Sequence, residues 1–134
     1  MEEGRVTKLM LPGNNLVGAL PDVFASLPKL RALNLSRNGL SGEMPTSIGG
    51  LSLLECLDLS SNRFCGPIPR SLGGLFSLRR MLFDHNCLSG DVPSTLGCLS
   101  NLRWIDFREN EFTDPLPGFL DFIPVRRPAD VPEF

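Results

Sequence analysis

Asp84, His85 and Cys87 stand within four consecutive residues and carry the side chains of a metal site, or of a thiol activated by an imidazole. A zinc ion needs four converging ligands, and only two lie together here. Cys87 also follows Asn86 directly, where the chain is expected to bend, so the flanking side chains are aimed to different sides. Asp58 and Asp106 are a second candidate pair. They fall two structural repeats apart, roughly 10 Å by the usual spacing of β-strands, with no sign of a substrate cleft between them. No phosphate loop, G-x-S-x-G or H-E-x-x-H is present. The sequence therefore predicts no metal, no cofactor and no enzymatic activity.

Recognition chemistry is better represented. Trp104, the only tryptophan, lies beside Arg103, and an exposed tryptophan among arginines is the composition enriched at protein-binding hot spots. Arg31, Arg79 and Arg103 share one column of the repeat, and Asp58 and Asp106 form an acidic column a few positions along, expected to face it. The candidate ligand contacts are Arg31, Asn34, Arg37, Asp58, Arg79, Asp84, His85, Arg103, Trp104, Asp106 and Arg108. The bland alternative is that adjacent coils neutralise one another through surface ion pairs of little worth.

What positions these side chains is a repeat. Asn14, Asn38, Asn62, Asn86 and Asn110 recur every 24 residues. Three positions earlier come Leu11, Leu35, Leu59, Phe83 and Phe107, and five earlier Leu9, Leu33, Leu57, Met81 and Ile105. Pro21, Pro45, Pro69, Pro93 and Pro117 follow by seven, and Gly18, Gly42, Gly66 and Gly90 by four, until Asp114 breaks that column. The alternation around Arg31–Arg37 predicts a short strand with leucines inward, pairing in parallel with its equivalents about 4.8 Å away. The asparagine ends the strand, and its amide can serve buried backbone groups on both sides of the turn, which makes a ladder through the stack. TSIGGLSL and RSLGGLFS are too short and glycine-broken for a full helix and predict one helical or 3₁₀ turn on the convex side.

The pattern L-x-x-L-x-L-x-x-N-x-L at this period is the leucine-rich-repeat signature. The second half of each unit, as in NGLSGEMPTSIGGLSL, resembles the plant-type subclass of receptor-like kinases, receptor-like proteins and polygalacturonase-inhibitor proteins, over residues 5 to about 123. The resemblance implies an α/β solenoid of five 24-residue units with a parallel concave sheet, spanning 1–126, and a Pro-rich tail at 127–134 expected to be disordered. It also implies a non-catalytic module binding a protein or peptide on the concave face. The alternatives are a truncated structural segment of a larger receptor-like protein, and an enzyme subunit or regulator.

Charge and composition set the remaining bounds. Thirteen basic and 15 acidic residues give a net charge of −2, which points to no nucleic-acid partner. No apolar run approaches the ~20 residues of a membrane span. MEEGRVTK is no secretory signal, which places the chain as it stands in the cytoplasm, or at the cell surface if it is part of a receptor. Neither end carries an obvious polar cap, so end-to-end association is a further expectation. Cys56, Cys65, Cys87 and Cys98 do not match the paired cap cysteines of secreted members and are expected to be free thiols. Cys65 and Cys87, in adjacent coils and two columns apart, are the one pair able to approach. Asn34-Leu35-Ser36 is a glycosylation sequon that the repeat consensus generates by itself.

Overall fold

The computed structural model describes residues 6–113 and Gly118. Each coil contributes two short strands: β1 (Lys8–Met10) and β2 (Val17–Ala19) in the first, β3 (Ala32–Asn34) and β4 (Gly39–Gly42) in the second, β5 (Cys56–Asp58) and β6 (Arg63–Gly66) in the third. The fourth adds β7 (Arg80–Leu82) and β8 (Cys87–Gly90), and the fifth β9 (Trp104–Asp106) and β10 (Glu111–Phe112). The odd-numbered strands form one parallel sheet in the order β1-β3-β5-β7-β9, and the even-numbered strands a second, β10-β8-β6-β4-β2. Between coils run 3₁₀ turns at Phe24–Ser26, Thr46–Gly50, Arg70–Gly74 and Ser94–Cys98. Among the described residues the helical part of the solenoid is 3₁₀ only.

The two sheets stack differently. In the first, equivalent positions pair: Lys8 with Ala32, Ala32 with Cys56, Cys56 with Arg80, and Arg80 with Trp104, each 24 apart. In the second, lateral sheet the partners lie 22 apart, as Val17 with Gly39 and Cys65 with Cys87. Each lateral strand is therefore displaced by two residues relative to the repeat.

Between the sheets and the 3₁₀ turns runs one continuous apolar core. The inward leucine column fills it with Leu33, Leu35, Leu57 and Leu59, and the later columns add Ile48, Leu51, Leu54, Leu72, Leu75 and Leu78, all buried. Pro45, Pro69 and Pro93 stand immediately before the 3₁₀ turns, and their carbonyls accept the N–H of Ile48, Leu72 and Leu96. Successive turns pack so closely that a Cβ on Gly49 would meet the carbonyl carbon and the Cβ of Ser71 at 2.5 Å. Towards the end of the stack the leucine column becomes aromatic. Phe83 and Phe107 stack with centroids 5.9 Å apart, and Phe112 lies 5.6 Å beyond Phe107.

The ladder is built as the asparagine column predicts, with a direction the sequence did not disclose. Asn62 Nδ2 donates to Leu59 O and Ser60 O in its own coil and to Leu35 O in the coil before, and its Oδ1 accepts the N–H of Leu40, also in the coil before. Asn38, Asn86 and Asn110 repeat the arrangement. Each asparagine thus ties its coil backwards. The residue just before it is left-handed throughout: Gly13, Arg37, Ser61, His85 and Glu109 have φ between 55° and 64°. Four of those five positions hold a side chain in a conformation that favours glycine. The expected break at Asp114 and the tail at 127–134 lie outside the described residues.

Candidate recognition surface

The first sheet turns two columns of side chains away from the core, at the first and third residues of each strand. The first column runs Lys8, Ala32, Cys56, Arg80, Trp104. Its middle members are covered despite facing outward: Ala32 and Cys56 are buried, and Arg80 is only 7% exposed. Burial pushes the Cys56 thiol up to about 11, outweighing the lowering effect of Arg80. The Arg80 guanidinium lies over the Trp104 ring, 5.8 Å from its centroid, so the indole is half-buried against the fourth coil rather than standing free. The sequence reading of a fully exposed tryptophan is corrected to that extent.

The acidic column sits at the other end of the strands and is occupied internally. Asp58 Oδ1 accepts the backbone N–H and the hydroxyl of Ser60, at 3.0 and 2.6 Å. Asn34 holds Ser36 in the same way, at 3.0 and 2.7 Å. Asp106 takes the N–H of Arg108 at 3.0 Å and both Nε and Nη2 of its guanidinium, at 2.9 and 2.6 Å. These side chains shape the turn that leads into the ladder asparagine. In the fourth coil Leu82 takes this position, and Asp84 lies two residues later with its Oδ2 2.9 Å from His85 Nδ1.

Two ligand contacts expected from the sequence are corrected by this geometry. Asp106 is 0% exposed and Asp84 only 4%, so neither carboxylate is available to a partner. The facing of arginine and acidic columns is corrected as well. The arginines stand just before the strands, the acids at their far ends, and Arg31 instead pairs with Glu55 of its own column at 3.3 Å. Burial is the main cause raising the Asp58 carboxyl, against the hydrogen bonds from Ser60 that lower it. The Arg108 guanidinium is raised by its hydrogen bonds to Asp106. The sequon asparagine, Asn34, is half-buried with its carbonyl oxygen held by Ser36.

Exposed on the same side remain Arg31, Arg79 and Arg103, with Arg37, His85 and Arg108 at the turns. Arg79, Arg103 and Trp104 are brought together, and with Asn101 they line a hollow of about 320 Å³. Sequence reasoning missed Asn101, which lies outside the strand columns and whose Nδ2 donates to Phe76 O at 3.0 Å. A larger hollow of about 880 Å³ lies along the proline segments of the third and fourth coils and Gly118, with no aromatic ring among the described residues that line it. Among the described residues no three His, Cys, Asp or Glu side chains converge as a metal site would require, and no helix is long and apolar enough to cross a membrane.

Comparison with known proteins agrees with this architecture. A leucine rich repeat family model matches residues 4–64. The ectodomain of the receptor kinase SOBIR1 from Arabidopsis thaliana is 35% identical with a TM-score of 0.83, over 91% of this chain and 67% of that one. A chain of the BIR3–SERK2 complex from Arabidopsis thaliana is 33% identical with a TM-score of 0.86, over 92% and 66%. The plant peptide hormone receptor RGFR1, solved in complex with RGF2, is 31% identical with a TM-score of 0.84, over 89% of this chain. The chain spans only 19% of that receptor's length. A comparison with curated protein sequences returns no match. The chain belongs to the leucine-rich-repeat family, in the plant-type class that includes these receptor ectodomains.

Proposed function

We propose that the chain is a non-catalytic recognition module that binds a peptide or protein across the concave face of its third to fifth coils. The observation that carries this reading is the grouping of Arg79, Arg103 and Trp104, with Asn101, around one hollow where the chain enters the first sheet. The guanidinium groups offer forked donors to carboxylate or carbonyl oxygens, and the indole offers apolar area. The buried acids take no part, which leaves the accessible chemistry of this patch cationic and aromatic. A partner with an exposed carboxylate, such as a peptide C-terminus or an acidic side chain, fits it best. The RGFR1 structure with its peptide and the BIR3–SERK2 complex support both peptide and protein as partner classes.

The test is titration of the purified chain with a panel of secreted plant peptides and receptor ectodomains. Arg79→Glu and Arg103→Glu should each weaken any binding at least about tenfold, whereas Arg63→Glu on the lateral sheet should not. Binding lost through Arg63→Glu but kept through both concave changes would overturn the proposal. Coverage of 19% of RGFR1 favours a second reading, in which this solenoid is one segment of a larger cell-surface receptor-like protein.

A further inference from the structure

The two-residue slide of the lateral sheet brings Cys65 of β6 into register with Cys87 of β8. Residues in register on neighbouring parallel strands project to the same side of the sheet, with backbones about 4.8 Å apart. That separation falls inside the window of roughly 4.4–6.8 Å between Cα atoms that a disulfide spans. Both side chains are exposed and both thiols are free. The remaining cysteines are placed otherwise. Cys56 is buried in the first sheet, with its thiol pushed up to about 11 and so held protonated. Cys98 is exposed, but it closes the 3₁₀ turn Ser94–Cys98, away from the lateral sheet.

We propose that Cys65 and Cys87 form a reversible dithiol–disulfide site, oxidised by small-molecule disulfides, that staples the third coil to the fourth. This site does not depend on what the first sheet binds. One cysteine thiolate attacks a sulfur of the small disulfide, expelling a thiolate and leaving a mixed disulfide. The second cysteine thiolate attacks the protein-side sulfur of that mixed disulfide, forms the Cys65–Cys87 bond and expels the second small thiolate. The two cysteine protons end on the two released thiols, and the two electrons lost by the protein are gained by the small disulfide. The closed loop contains the 3₁₀ turn Arg70–Gly74 and β7, so the bond constrains the unfolded chain while asking little of the folded one.

The experiment is incubation of the folded, reduced chain with oxidised glutathione, followed by thiol titration, peptide mass mapping and thermal melting. The peptides holding Cys65 and Cys87 should be joined with no glutathione attached, and Tm should rise by on the order of 5 °C. Cys98 should carry at most a single glutathione, and dithiothreitol should restore all four free thiols. Cys65→Ser should leave Cys87 as a stable glutathione adduct and remove the rise in Tm; if that variant fails to fold, Cys87→Ser gives the mirror-image readout. Three results overturn the proposal: glutathione retained on both Cys65 and Cys87 of the folded chain, linkage to Cys98 or to a second chain, or reaction at Cys98 while Cys65 and Cys87 stay reduced.

Discussion

In the third coil the ladder asparagine, Asn62, is 8% exposed, donates to three carbonyls and accepts the N–H of Leu40. In the first coil Asn14 holds the same place in the repeat, is exposed, and donates to the carbonyl of Pro12 two residues away. The difference comes from direction. Each asparagine serves the coil before it, so the first has no earlier coil to hold among the described residues. Identical residues at identical spacing therefore carry unequal shares of the stability. The stack is anchored by what each coil does to its predecessor.

The most severe way to break this comparison is Asn62→Ala. It leaves the buried Leu40 N–H without its acceptor and takes one of two donors from Leu35 O, Leu59 O and Ser60 O, which keep Asn38, Asn86 and the Arg37 N–H, so a loss of about 2–3 kcal/mol is expected in urea melts. Asn14→Ala should cost less than about 0.5 kcal/mol. Asn110→Ala sharpens the point. Stacking on one side only would make it mild, but Asn110 donates to Phe83 O and accepts from Leu88 N, as Asn62 does with Leu35 and Leu40. Its cost should approach that of Asn62→Ala, reduced only by its partial exposure.

A second contrast lies within one 3₁₀ turn. Gly49→Ala drives a methyl group into the Ser71 backbone, whereas a Cβ on Gly50 meets nothing within 4 Å. The first change should destabilise by about 2 kcal/mol and the second by less than about 0.5 kcal/mol, measured by the same melts.

Smaller effects are expected where the strands meet the turn. Asp106→Ala removes the acceptor of three hydrogen bonds from Arg108 and should cost about 1–2 kcal/mol. Asp58→Asn should be neutral or slightly stabilising at pH 7, because Asn34 already performs the same task in the second coil. The sign follows from burial, which raises the folded carboxyl above its ordinary 3.8. Between that value and the raised one the folded state holds more protons, so stability contributed by this group falls as pH rises. Melts of Asp58→Asn across pH 4 to 7 should show a flatter profile than the parent.

Much of this is legible in the sequence. The leucine, asparagine and proline columns locate the strands, the ladder and the starts of the 3₁₀ turns, since each recurs at one fixed period and so marks one place in the coil. Exposure was less legible. Alternation tells which side of a sheet a residue faces, not whether its neighbours cover it, and Ala32, Cys56 and Arg80 face away from the core yet are buried. The turn-forming Asn and Asp side chains did leave a signal, in Asn34-x-Ser36 and Asp58-x-Ser60, which is the spacing of an Asx turn. The left-handed column was masked because only Gly13 among its five members is glycine. The lateral slide has no trace in a column alignment, because alignment by repeat assumes that every sheet keeps the period.

The molecule divides into residues that hold the stack and an exposed patch that we propose binds a partner. Trp104 tests that division most directly, because it belongs to a strand of the first sheet and also lines the hollow. The measurement is Trp104→Ala, followed by thermal melting and by titration with whichever peptide or ectodomain binds the parent chain. Binding should weaken by about 30-fold or more, with less than about 1 kcal/mol lost in stability. A drop of many degrees in Tm with binding unchanged would contradict the account, because the indole would then be part of the stack and not of the surface.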